Sequence, residues 1–296
     1  MSEAFYTDKV AVRAAFDKAA STYDAAAVLQ REVVQRMAER LDYIRIKPER
    51  MLDAGSGTGF ACPILRERYP EGRLIELDLA PGMLRIAREQ RGGGGIKAMF
   101  DRRKPVQVCG DLEALPLASN SVDLIWSSLA LQWCNVPDAA FAEMLRVLKP
   151  GGLLMFSTLG PDTLKELRSA FASVDGYTHV NQFIDMHDLG DALVNSGFAT
   201  PVMDMEHITL TYPELKPILA DLKGIGAHNA TRGRRSGMMG KTAWQRVVAN
   251  YEQFRRDGEL PATYEVVYGH AWKPEIMPAR TLADGSQVIE FRPRAR

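Results

Sequence analysis

At 296 residues, with 46% hydrophobic and 25% charged side chains, the chain has the length and balance of a globular protein with a full core. It is organised as one large domain or two small ones. Its 37 basic and 37 acidic residues cancel to a formal charge of zero, which removes any whole-molecule argument for binding nucleic acid or membrane. Three scattered cysteines, Cys62, Cys109 and Cys134, exclude a disulfide framework or a cysteine zinc site, and Cys62 reads as a small buried thiol. Neither an N-terminal signal region nor a long apolar run is visible, so the expected location is the cytoplasm.

Residues 9–42 read as two helices with apolar faces at helical spacing, broken at Ser21 to Asp24, with Asp24 as a candidate N-cap. Then comes Met-Leu-Asp-Ala-Gly-Ser-Gly-Thr-Gly, Met51 to Gly59: a strand running into a glycine turn that opens a helix over 60–69. Glycine there tolerates positive φ and lets the backbone approach a ligand. The spacing is Gly-x-Gly-x-Gly, not the dinucleotide fingerprint, and Asp53 argues against phosphate and for a ligand with an ammonium group.

Arg73 to Asp78 is the second strand. Asp78 stands where α/β folds place a carboxylate on ribose hydroxyls, with Glu76, on the same face but further from the strand end, as the fallback. The helix from Pro81 is stopped by Gly92 to Gly95, a flexible connector. Val106 to Cys109 is a short strand followed by Asp111, an acid suited to accept from an exocyclic amine or to close an Asx-turn. Val122 to Trp126 is the fourth strand. The segment after it, with Ser128, Leu129, Gln132 and Trp133, lies beside the topological switch point. A helix over 137–148 stops at Lys149-Pro-Gly-Gly, before a fifth strand over 153–158. These alternating elements predict a parallel sheet with right-handed crossovers. A helix over 188–196 follows, and the runs 201–212 and 263–272 pair as an antiparallel end around a helical insertion; 287–292 is a candidate edge strand.

Asp-Ala-Gly-Ser-Gly-Thr-Gly resembles motif I of class I S-adenosylmethionine methyltransferases. Three longer stretches are more specific: Phe16 to Gln30, Phe156 to Leu167, and Asp221 to Asn229 with Thr263 to Trp272. Together they resemble the malonyl-acyl carrier protein O-methyltransferases of biotin synthesis, over about residues 10–274. The resemblance implies a Rossmann-like class I methyltransferase fold: a seven-stranded, mostly parallel sheet with an antiparallel end, an N-terminal helical lid and an inserted helical cap. The expected divisions are a lid over 1–48, a core over 49–212 and 261–274, a cap over 213–260 and a C-terminal extension over 275–296.

On this resemblance the cofactor is S-adenosyl-L-methionine (SAM), leaving as S-adenosyl-L-homocysteine, with no metal. Its expected contacts are Gln30 of the lid and Asp53, Gly55, Ser56, Gly57 and Gly59 of the turn. Asp78, Leu79 and Met83 follow on the ribose side, then Asp111 and Leu112 at the adenine, and Ser128. Leu129, Gln132 and Trp133 are expected to wall the substrate pocket. The acceptor implied is the free carboxylate of malonyl-acyl carrier protein, or malonyl-CoA, with Lys223, His228, Arg234 and Arg235 as candidates to hold it and Tyr23 of the lid as a further candidate catalytic residue. From Leu222 to Tyr251 there are six basic residues and no acidic one, a local positive surface suited to an acidic carrier protein. Nucleic acid is disfavoured as a partner by the lack of interleaved aromatics in that segment, and no membrane partner is expected. A methyltransferase-fold assembly factor, or an arginine-hydroxylating relative, is the competing reading.

Overall fold

The structure is a computed structural model that describes residues 6–92, 104–227, 237, 239–276, 280–281 and 287–288. Five parallel strands, β1 (Arg50–Ala54), β2 (Arg73–Asp78), β3 (Val106–Cys109), β4 (Val122–Ser128) and β5 (Leu148–Leu159), share one sheet. The order is β3-β2-β1-β4-β5-β7-β6, with β7 (Leu260–Trp272) antiparallel to both β5 and β6 (Ala199–Tyr212). The chain leaves β1 towards β2 and later returns on its other side as β4, so the switch point lies between β1 and β4.

Strict two-residue alternation sorts the core into two layers. Met51, Leu124, Trp126, Leu153 and Met155 pack on one face, while Leu52, Ile125, Leu154 and Phe156 pack on the other. The first layer takes in the helices α3 (Val28–Arg40) and α7 (Lys165–Ala172). The second is covered by α6 (Pro137–Val147) and α8 (Met186–Ser196). Two crossover helices, α4 (Ala61–Arg68) and α5 (Pro81–Gln90), follow the first two strands. The inserted segment supplies α9 (Leu215–Gly224) and α10 (Lys241–Glu252). Val247 and Tyr251 of α10 join the first layer, so the insertion shares the sheet's core.

Four boundaries differ from expectation. The N-terminal region is three helices, α1 (Lys9–Ala19), α2 (Tyr23–Ala26) and α3, with Asp8 capping the first through the Val10 and Ala11 amides. Asp24 caps nothing; it lies inside α2 and its carboxylate accepts from Thr58 Oγ1 at 2.6 Å and from Gln90. Strand β5 begins at Leu148 and runs through Lys149-Pro-Gly-Gly as a register shift against β4, because Gly151 (φ +74°) absorbs the bend. Gln287–Val288 pairs with Arg280–Thr281 as a small ladder of its own, not as an edge of the main sheet.

Candidate active site

A cleft of about 1140 Å³, open to solvent, lies over the carboxyl ends of β1, β2, β3 and β4, roofed by α1 and α2 and flanked by α9. Its floor is the glycine turn. Gly55, Gly57 and Gly59 all have positive φ (+86°, +54° and +88°), and the Gly55 and Ser56 amides both donate to the Leu77 carbonyl. The Gly57 amide donates to Asp78 Oδ2 at 2.8 Å, and Ala80 donates to Asp78 Oδ1 at 2.8 Å. Asp78 thus fixes the turn with one lone pair on each oxygen and retains acceptor capacity towards the cleft it lines.

Glu76, the fallback, is fully buried and forked onto the Arg91 guanidinium, with Nη2 to Oε2 at 2.5 Å; Gln107 Nε2 adds a bond at 3.1 Å. Its acceptors are spent within the core. Asp53 also departs from its expected place. It is 2% exposed, faces Glu76 across the parallel pair, and lies beneath the turn instead of at the mouth. Burial, then the Glu76 and Asp78 carboxylates, push its carboxyl well above the ordinary range, partly offset by Arg91. Its Oδ2 has no hydrogen-bond partner among the described residues, and a neutral acid there is the state that low dielectric favours. Ser56 and Gly59 likewise lie outside the cleft lining, as structural parts of the turn.

Asp111 and Leu112 line the cleft after β3, and Leu79 and Met83 line it after β2. The Asp111 carboxylate is engaged twice. It accepts from the Glu113 amide at 3.0 Å, the Asx-turn geometry, and from Lys9 Nζ at 2.6 and 2.9 Å. Lys9 also pairs with Glu113, so α1 is tied down over the third strand end. Further along α1, Asp17 accepts from the Gly82 amide at 2.6 Å, and Phe16 meets Trp133 edge-on at 5.2 Å between ring centroids. Phe16 is therefore part of the roof, and Trp133 is cleft wall and packing surface at once.

Tyr23 and Gln30 both line the cleft, and Gln30 Oε1 is buried without a partner among the described residues. Burial first, then Asp78 and Asp24, raise the Tyr23 phenol, which stays protonated. On the β4 side Ser128, Leu129 and Gln132 form the wall, with Gln132 Nε2 bonded to the Leu129 carbonyl at 2.7 Å. Leu129 and Leu164 are both held at left-handed φ (+49° and +53°), their amides anchored on Ser157 and on the Thr263 carbonyl. Two of the five non-glycine residues with positive φ among the described residues therefore line this cleft.

Lys223 is exposed at the end of α9 and does not line the cleft; its neighbours Leu222, Ile225 and Ala227 do. His228, Arg234 and Arg235 lie outside the described residues. Cys62 is 1% exposed with its thiol pushed up to about 11 by burial, an inert core residue. Sequence reasoning did not reach Lys9, Thr163, Asn181, Phe183 or Tyr264 as lining residues. Lys9 alone carried a local signal, because Asp8 before it is an N-cap that starts α1 over the cleft.

The residues fit a nucleoside ligand with a cationic tail. A Cβ at Gly57 would meet nothing within 4 Å, so the turn offers bare backbone to an open space, beside the Asp78 carboxylate and the orphaned Gln30 oxygen. Comparison with known proteins agrees. A family described as "Methyltransferase domain" matches residues 52–156, which spans the turn, the carboxyl ends of β1 to β4 and most of β5. The YcgJ protein of Bacillus subtilis shares the fold with a TM-score of 0.57 at 13% identity, over 82% of this chain and 99% of its own. Among curated proteins, a malonyl-[acyl-carrier protein] O-methyltransferase of Gallionella capsiferriformans is 58% identical over 97% of each chain. Another, of Laribacter hongkongensis, is 66% identical over 100% of this chain and 99% of its own. Identity sustained along the whole length places this SAM-dependent methyltransferase in the malonyl-[acyl-carrier protein] O-methyltransferase family.

Proposed function

We propose that the glycine-turn side of the cleft holds SAM and the cap side holds a malonyl thioester on acyl carrier protein, with malonyl-CoA as the smaller alternative. The free malonyl carboxylate is methylated, giving the ester that starts pimeloyl synthesis for biotin, in the cytoplasm. The observation that carries this reading is the division of the cleft. Gly57, Asp78 and Asp111 line one half, whereas Leu159, Leu164, Phe183, Leu222 and Ile225 make the other largely apolar. The domain reading follows: residues 1–48 are the lid, 49–212 and 261–274 the SAM-binding core, 213–260 the cap and 275–296 an extension.

The bound donor supplies a sulfonium methyl: a carboxylate lone pair forms the new O–C bond, the C–S pair stays on sulfur, and no proton moves. The protein therefore needs no general base or metal for this step. Its contribution is alignment, which in favourable cases supplies up to roughly 7–11 kcal/mol. Asp78 is assigned the ribose hydroxyls, Gln30 a donor of the ligand, and the rim formed by Lys9, Phe16 and Trp133 the exclusion of water. Incubation with labelled SAM and malonyl-acyl carrier protein is expected to give the base-labile methyl ester; absence of transfer to both that substrate and malonyl-CoA overturns the reading.

The cofactor half has a pH signature. Burial pushes the Asp78 carboxyl up to about 6, against the pull of the Ala80 and Gly57 amides, with Asp17 adding to the rise. Protonation converts one acceptor oxygen into a donor, so the ionised form is the one that binds two hydroxyls. SAM affinity is expected to be full well above pH 6 and to fall as the pH drops through it, with proton release on binding in that window. Calorimetry in two buffers of different ionisation enthalpy checks both; an affinity flat through that range rules the assignment out.

A further inference from the structure

The cap half of the cleft contains two polar side chains that the protein leaves unused. Asn181 stands on the segment between α7 and α8, between the core residue Val180 and Phe183 of the cleft wall, and its Oδ1 is buried without a hydrogen-bond partner among the described residues. Tyr264, on β7, is 5% exposed and lines the same cleft, and its hydroxyl bonds to no described residue. Two neighbouring tyrosines differ. Tyr212 donates to Asp221 Oδ2 at 3.0 Å, and Tyr251 donates to the Pro261 carbonyl at 2.8 Å. An orphaned buried polar group is costly and rare, so the Asn181 amide, which lines the cleft together with Tyr264, asks for a ligand.

The chemistry of these two groups selects that ligand. A phenol and a primary amide both donate, and an ionised carboxylate only accepts, with room for several donors. Burial raises the Tyr264 phenol far above neutrality, so it is a permanent donor. Rotation of the Asn181 amide exchanges its oxygen and nitrogen, which lets the buried end donate once an anion arrives. The cation among the described lining residues, Lys9, is committed to Asp111 and Glu113 on the far side. Neutral donors also suit the reaction. Methyl transfer erases the carboxylate charge, so a full cation would stabilise the ground state more than the transition state, and hydrogen bonds from neutral groups do so less.

We infer that Asn181 and Tyr264 are positioning residues that hold the acceptor's carboxylate through neutral hydrogen bonds in the cap half of the cleft. This rests on the acceptor proposed above. The test measures malonyl-CoA against acetyl-CoA, which lacks the carboxylate, on protein loaded with S-adenosyl-L-homocysteine. The wild type is expected to prefer malonyl-CoA. Tyr264→Phe and Asn181→Ala should each reduce that preference by roughly tenfold, the size of one charge-assisted hydrogen bond. Asn181→Asp, which sets a like charge against the ligand, should abolish it. Affinity for S-adenosyl-L-homocysteine should stay unchanged in all three, a readout that a merely misfolded variant would not satisfy. A wild type indifferent to the carboxylate overturns the proposed acceptor itself. A wild-type preference that survives in the Asn181 and Tyr264 variants but is lost in Arg234→Ala or Arg235→Ala overturns the inference alone and gives the carboxylate to the basic loop.

Discussion

Asp78→Ala is expected to weaken SAM binding by at least roughly 100-fold, through the loss of the hydrogen bonds that a carboxylate accepts from two ribose hydroxyls at ~1.5–3 kcal/mol each. The structure adds a second cause. Asp78 also accepts from the Gly57 and Ala80 amides, so its removal unties the glycine turn from the end of β2. Asp78→Asn separates the two. It keeps an acceptor for one amide but sets an NH₂ against the other, and it abolishes the pH dependence centred near 6. Affinity should therefore fall in both variants and become independent of pH in each. Titration calorimetry with SAM reads the affinity, and circular dichroism checks that the sheet survives. Wild-type affinity in Asp78→Ala would remove the ribose assignment.

The strand ends that carry the site were legible because punctuation brackets them. Arg73 to Asp78 and Val106 to Cys109 are bounded as the alternation and the following turns predict. The resemblance of the lid and cap segments reached what periodicity does not, namely that Tyr23 and Gln30 line the cleft. What the sequence concealed is what depends on cross-chain register. Asp53 looks like a mouth residue one step before the glycines, but its parallel pairing with Glu76 puts it under the turn. Glu76 and Asp78 share a strand face, and only the Arg91 fork shows that one is core counterion and the other free for ligand. Lys9 reaches Asp111 across 102 residues, a pairing that no local pattern announces although Asp8 marks the start of its helix, and Asn181 sits in a segment without period or motif. The basic residues of the cap resist for a different reason: charge sets a neighbourhood, while lining a cleft is decided by helix phase, and α9 turns Leu222 inward and Lys223 out.

Gly55→Ala and Gly57→Ala are expected to fail in opposite ways, although the two residues are neighbours in one turn. A Cβ on Gly55 would sit 2.3 Å from the Ala130 Cβ, a short side chain with no far end to swing aside, and φ is +86°. Overpacking and left-handed strain together should cost ~2–4 kcal/mol, seen as a drop of several degrees in Tm without ligand. A Cβ on Gly57 meets nothing within 4 Å and pays only the left-handed penalty of ~1 kcal/mol, so the protein should fold with a nearly normal Tm. That methyl, however, stands in the space where the turn presents bare backbone to the cleft, and SAM affinity should fall by roughly tenfold or more, with a larger loss for Gly57→Val. Thermal unfolding of the apo proteins and SAM titration of each variant give the two axes. The decisive quadrant is Gly57→Ala: a stable protein that binds SAM as tightly as the wild type would mean that the open space above the turn is not where the methyl donor lies.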